Sequence, residues 1–172
     1  MKGRTATVKR VGEVAVKELR PDSPRNNLEK EFRILERLAP FSVAPRPIRL
    51  EKGRLYMEYI PGLTLKEFLK QADRQSILIV LQKLLHAAAL LDLLGIAHTQ
   101  LHIGKNVLVM NNAVKIIDFE KAIENTPSPG NVGQVCGYYL KKYLSEENFE
   151  KVKELVRQWK KLLKELHGSR RH

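Results

Sequence analysis

Three charged side chains interrupt otherwise apolar stretches: Lys17 at the end of VAVK, Glu31 inside EKEFRIL, and Asp118 at the end of KIIDF. A charge at the end of a strand is ordinarily just solvated, and any one of these alone carries little meaning. A fourth feature is the stretch GIAHTQLHIGKNVLV, Gly95 to Val109, where His98 precedes an amide, Gln100, and Asn106 leads into an apolar run. An ammonium, two carboxylates and two amides in a chain of formal charge +12 and pI near 9.9 are groups suited to an anionic partner. That partner class includes RNA, a ribonucleoprotein, or a small anion such as a nucleotide. The same charge also fits the Lys- and Glu-rich surface of a thermophile protein, and charge alone does not choose between them.

The elements that must position these residues follow from periodicity. Residues 5–19 alternate apolar and charged side chains around a Val11-Gly12 turn and predict a hairpin ending near Lys17. The loop PDSPRNN supplies asparagines able to cap a helix, and Leu28, Phe32, Leu35 and Leu38 then recur on one helical face that also carries Glu31. Two short runs flank Lys52-Gly53 as a second hairpin, and ProGly at Pro61 and Gly62 ends the β-rich part. Residues 65–71 and 75–94 read as helices, with Gly95 as a C-cap. VLVM and AVKIIDF, either side of Asn111-Asn112, predict a third hairpin that delivers Asp118. Ser145 with Glu146 and Glu147 starts a last helix, with Phe149, Val152, Val156, Trp159, Leu163 and Leu166 on its apolar face and Gly168 at its end.

Bulk properties exclude several classes. With 172 residues, 43% hydrophobic and 29% charged, the chain has the composition of a folded domain rather than a disordered one. A single cysteine, Cys136, rules out an internal disulfide and fits a reducing compartment. The opening MKGRTATVKR lacks the apolar core of a secretion signal, so a cytoplasmic location is expected. The apolar run from Ser76 to Leu94 is broken by Gln82, Lys83, His86 and Asp92 and predicts a buried helix, with no membrane partner.

In order along the chain, VAVK, EFRIL, MEYIPG, HTQLHIGKNVLV and IIDFE resemble five motifs of the protein-kinase-like superfamily. They are similar to the lysine strand, the helix of its glutamate partner, the hinge, the catalytic loop and the metal-binding segment, and they span Gly3 to Glu120. With only about fifty residues after Glu120, the chain resembles small atypical kinases, namely RIO-type kinases, the small kinase of the KEOPS complex and small archaeal Ser/Thr kinases. The resemblance implies an α+β, two-lobed protein-kinase-like fold with a cleft between its lobes. It implies a small β-rich N-lobe over residues 1–57, a hinge over 58–63, and a shortened helical C-lobe over 64–172.

The resemblance also implies roles. Lys17 would contact the α- and β-phosphates of ATP, with Glu31 holding its ammonium. Gly3 takes the second glycine of the phosphate loop, Val8 and Ala15 pack on adenine, and the backbone of Glu58 and Ile60 bonds its edge behind Met57. Asp118 and Asn106 hold Mg²⁺ through oxygen, which suits that hard cation. Three departures stand out. Gln100 replaces the aspartate that receives the acceptor's proton, and an amide takes no proton at neutral pH. Lys105 is an extra residue before Asn106, able to place positive charge beside the γ-phosphate. Glu120 stands where the family has glycine, which would stiffen that turn. The readings left open are a Ser/Thr kinase acting on a protein acceptor, a pseudokinase that binds nucleotide, RNA or a ribonucleoprotein, and a small-molecule phosphotransferase.

Overall fold

The computed structural model describes residues 5–24 and 27–169. It is a mixed α+β protein whose chain divides into two compact units. The first comprises Met1–Gly62 with Lys115–Glu120, and the second Leu63–Val114 with Lys121–His172.

The first unit is built on an antiparallel sheet of β1 (Ala6–Val11), β2 (Val14–Leu19), β3 (Pro47–Glu51) and β4 (Arg54–Glu58), in the order β1-β2-β4-β3. Both hairpins form where the turn residues allow it: Lys52 and Gly53 both take positive φ, 49° and 75°, as a tight hairpin turn requires. Helix α1 (Glu29–Leu38) buries Ile34, Leu35 and Leu38; its N-cap is Leu28, without a side-chain cap bond, and Asn27 just before it accepts the Glu29 N–H on Oδ1 at 3.1 Å.

Residues 115–120, which the sequence groups with the helical portion, pack in this unit. Ile116 N donates to Val43 O at 2.8 Å, Lys115 Nζ to Ser42 O, and Lys30 Nζ on α1 to Glu120 O at 2.8 Å. These bonds take up backbone groups that a strand end would otherwise leave to water.

In the second unit the short strand β5 (Leu63–Thr64) pairs with β6 (Val107–Met110); β7 (Ala113–Ile116) follows in the same sheet, its last two residues belonging to the first unit. Asn111 and Asn112 turn the β6-β7 hairpin with φ of 50° and 61°. The strand expected through Asp118 stops at Ile116, and β5 is too short to leave a period in the sequence. The helices are α2 (Leu65–Gln71), α3 (Arg74–Leu93), α4 (Asn131–Tyr138) and α5 (Glu146–Ser169).

Helix α3 is long and apolar enough to cross a membrane by length and composition alone. It nevertheless buries Val80, Leu81, Leu84, Ala88 and Leu91 inside the protein, as a core helix does. Asp73 caps its start and Thr64 caps that of α2. Ser145 Oγ accepts the Asn148 N–H at the start of α5, and the helix runs one residue past Gly168. On α5, Leu163 is buried as its periodicity predicts, whereas Leu166 is 40% exposed.

Candidate functional site

In the first unit, β2 alternates its side chains, so Ala15 and Lys17 share a face. The antiparallel register sets Val8 opposite Lys17 and Met57 opposite Ala15, which puts all four on that same face. Lys17 is 6% exposed and Glu31, from α1, is 2% exposed. The Lys17 ammonium donates to both Glu31 oxygens, at 2.8 and 3.0 Å, and lies 3.5 Å from Asp118 Oδ1. A buried charge of this kind is stable only when paired, and replacing such a pair by apolar side chains is often neutral. The pair is therefore weak evidence for stability.

Asp118 is the exposed member of this cluster, its side chain 37% accessible. Its Oδ1 accepts the Glu120 N–H at 3.3 Å, while Oδ2 accepts no hydrogen bond among the described residues. Asp118 has φ of 61°, so the left-handed residue of AspPheGlu is the aspartate. Glu120 therefore needs no glycine-like freedom, which corrects the expectation of a stiffened turn there. At the end of β4, Glu58 N donates to Arg46 O and Tyr59 N to Glu13 O, while the N–H of Ile60 has no partner among the described residues. Gly3 lies outside the described residues.

In the second unit the loop from Gly95 to Asn106 hangs on a buried polar network. Asp92, 1% exposed near the end of α3, accepts the Asn131 N–H at 3.0 Å, its side-chain amide at 2.8 Å, and the Trp159 indole N–H at 2.8 Å. Asn131 in turn donates to Ile96 O at 2.7 Å and accepts the His98 N–H at 2.9 Å. His98, fully buried, accepts the Gln100 N–H on Nδ1 at 3.2 Å, a scaffold role that fixes the loop backbone.

Gln134 of α4 accepts the Leu101 N–H and donates to Thr99 O, and the Tyr139 hydroxyl donates to Leu101 O at 2.6 Å. Burial pushes that hydroxyl's pKa well above its ordinary value. Thr99 has φ of 74°, an outlier for a β-branched residue, held by its hydroxyl bond to Lys121 O at 3.1 Å.

The extra residue is absorbed in a 3₁₀ turn over Gly104–Asn106. A Cβ on Gly104 would sit 3.0 Å from the Lys66 backbone nitrogen, so a side chain there would push the Lys66 backbone back by a few tenths of an ångström. Lys105 is exposed on this turn. Asn106 is 8% exposed, and its Nδ2 donates to Gln100 O at 3.1 Å. Its Oδ1 accepts no hydrogen bond among the described residues, and neither Gln100's side chain nor Lys105's has a partner among them.

The model of the RIO domain matches residues 6–131. The chain belongs to the RIO domain family. This RIO domain is 34% identical over 80 residues to an uncharacterized protein of Methanocaldococcus jannaschii, a match covering 46% of this chain and 69% of that one. Its fold is similar to the crystal structure of WbdD, with a TM-score of 0.62 at 21% identity over 96% of this chain. The chain spans 43% of the length of that solved chain. The family is kinase-like and generally binds ATP with Mg²⁺.

In the first unit, the carboxylate of Asp118 suits such a cation. No group of three His, Cys, Asp or Glu side chains converges among the described residues, so there is no all-protein cage. Mg²⁺ does not need one, since it is commonly held by one or two carboxylates together with substrate phosphates. In the first unit, Asp118 Oδ2 is a hard oxygen donor without a hydrogen bond of its own among the described residues; in the second unit, taken by itself, Asn106 Oδ1 is another.

Sequence reasoning missed Asp92, Asn131, Gln134 and Trp159 as supports of the loop. The one signal available was Asp92 itself, a carboxylate inside an apolar run that must find partners if buried.

Proposed function

We propose that this RIO domain is an atypical Ser/Thr kinase that transfers the γ-phosphate of ATP, with Mg²⁺, to a protein acceptor. The observation that carries the reading is the buried Lys17 ammonium held by both oxygens of Glu31 with Asp118 3.5 Å away. Phosphoryl transfer asks the protein for positioning and charge neutralisation, and this cluster supplies both. In this reading Lys17 neutralises the α- and β-phosphates and Glu31 holds its ammonium. The Ile60 N–H, without a partner among the described residues, and the backbone of Glu58 take the adenine edge behind Met57, with Val8 and Ala15 against the ring and Gly3 at the phosphates. Asp118 and Asn106 are assigned to Mg²⁺, which neutralises charge on the phosphate oxygens when bound. Gln100 orients the acceptor hydroxyl rather than deprotonating it, which a loose transition state tolerates. Lys105, exposed and without a partner among the described residues, is assigned to the γ-phosphate.

The amide at Gln100 favours a second reading, a pseudokinase that holds nucleotide without transfer, its +12 charge then serving RNA or a ribonucleoprotein. A γ-labelled ATP assay with Mg²⁺ divides the readings. Label on the protein or on an added Ser/Thr polypeptide, absent in Lys17→Ala and Asp118→Ala, supports the kinase. Bound nucleotide with no label transferred supports the pseudokinase, and label only on small hydroxyl compounds indicates a small-molecule phosphotransferase.

A further inference from the structure

We infer that Glu120 is a positioning residue: it straps the turn that carries Asp118 to the head of β1 and to α1, and so sets the affinity for metal-bound nucleotide. The inference rests on the reading of Asp118 as a cation ligand. Asp118 sits in the left-handed region, which aspartate visits more readily than most non-glycine residues because its short polar side chain can hydrogen-bond locally, as Oδ1 does here by accepting the Glu120 N–H.

Bonds at Glu120 reach three places. Its N–H closes the turn onto Asp118 Oδ1 at 3.3 Å, its carbonyl accepts Lys30 Nζ of α1 at 2.8 Å, and its Oε2 accepts the Thr5 hydroxyl at 2.8 Å. Thr5 immediately precedes β1, 115 residues away in sequence. Lys30 is the neighbour of Glu31, so α1 is tied at successive residues to the Asp118 turn and to Lys17.

The side chain is thus put to use at a position whose backbone requires nothing special. With Oδ1 occupied by the turn, Oδ2 is left as the oxygen that accepts no hydrogen bond among the described residues. Loosening the strap lets the carboxylate rotate away from that setting. The carboxylate of Glu120 itself acts as a hydrogen-bond acceptor for Thr5, a task that an amide oxygen also performs.

The test is calorimetric binding of ATP, with Mg²⁺ and with EDTA, to native protein and to Glu120→Ala, Glu120→Gln, Thr5→Val and the Thr5→Val/Glu120→Ala double variant. Glu120→Ala should weaken Mg·ATP binding about ten-fold, the loss expected of one hydrogen bond to a charged group, and leave metal-free ATP within about two-fold. Glu120→Gln should stay within about three-fold of native, since the acceptor oxygen survives. Thr5→Val, which keeps the β-branched shape, should fall in the same direction as Glu120→Ala. The double variant should be no weaker than the worse single one, because both remove the same bond.

A Glu120→Ala protein that binds Mg·ATP like native overturns the strap, as does an equal loss with and without metal. Glu120→Gln as weak as Glu120→Ala also overturns it, by showing that the charge acts directly. Native protein that binds no Mg·ATP removes the kinase reading itself, a different result from native binding with unaffected variants. Should Glu120→Ala fail to fold, Thr5→Val and Glu120→Gln decide the matter.

Discussion

Changing Glu31 to glutamine removes one charge from the buried pair and almost nothing of its volume. Lys17 is then an ammonium at 6% exposure whose remaining charged neighbour is Asp118, 3.5 Å away and itself 37% accessible. Removing one partner of a buried ion pair typically costs about 3–5 kcal/mol. Asp118 and the amide oxygen both remain near Lys17, so the lower end, about 3 kcal/mol, is expected. At roughly 2–4 °C per kcal/mol for a chain of this length, Tm should fall by about 6–12 °C. Urea and thermal unfolding followed by circular dichroism read this directly. Lys17→Met/Glu31→Leu replaces both charges by apolar side chains of similar size and should return to within about 1 kcal/mol of native. That double variant should nevertheless lose Mg·ATP binding, so stability and ligand binding part ways. Two results would refute the reasoning: Glu31→Gln within about 1 kcal/mol of native, or the double variant as unstable as the single.

Three further outcomes are expected. Thr99→Asn, which tolerates the left-handed backbone and keeps a polar group, should be at least as stable as native in urea. Thr99→Val, which keeps the strain and loses the bond to Lys121 O, should be about 1 kcal/mol less stable. Asn131→Leu removes the side-chain amide that donates to Asp92 and Ile96 O and accepts the His98 N–H, while the residue-131 backbone N–H and the Trp159 indole stay on Asp92, so a loss of about 3 kcal/mol is expected. Amide exchange at His98 should accelerate in parallel; unchanged protection there would show that the loop does not hang on Asn131. The Asp73 carboxylate is held below its ordinary value of 3.8 by hydrogen bonds from the Ser76 backbone and side chain. A lowered folded-state pKa gives stability that is present above the unfolded value and lost as pH falls through the folded one. The advantage of native protein over Asp73→Asn should therefore vanish under acid, and an advantage that grew with acidification would reverse the sign.

Local chemistry made much of the fold legible in the sequence. Gly53 and Asn111-Asn112 turn their hairpins with the positive φ that their residue types accommodate, Lys52 taking it beside Gly53, and the Leu28 to Leu38 period gives α1 its buried face. The long-range polar partners were not legible. Asp92 meets Asn131 and Trp159 across 39 and 67 residues, and nothing in the identity of an asparagine after a Pro-Gly loop announces that partnership. Residues 115–120 were misplaced because the strand pattern runs on through Ile117, whereas hydrogen bonds to Val43 and α1 draw the segment into the first unit. At Glu120, reading the turn from the family's glycine put the left-handed residue two positions too late.

On the proposed reading, Lys17, Glu31 and Asp118 form a site for metal-bound nucleotide. Thermal unfolding of native protein with Mg²⁺ and increasing ATP tests it most directly. Ligand linkage predicts about 2.7 kcal/mol of stabilisation at a hundred-fold excess over Kd, a rise of roughly 5–11 °C in Tm. The rise should disappear in Asp118→Ala and in Lys17→Met/Glu31→Leu. No shift in native protein up to millimolar Mg·ATP, or an equal shift in all three, would contradict the account.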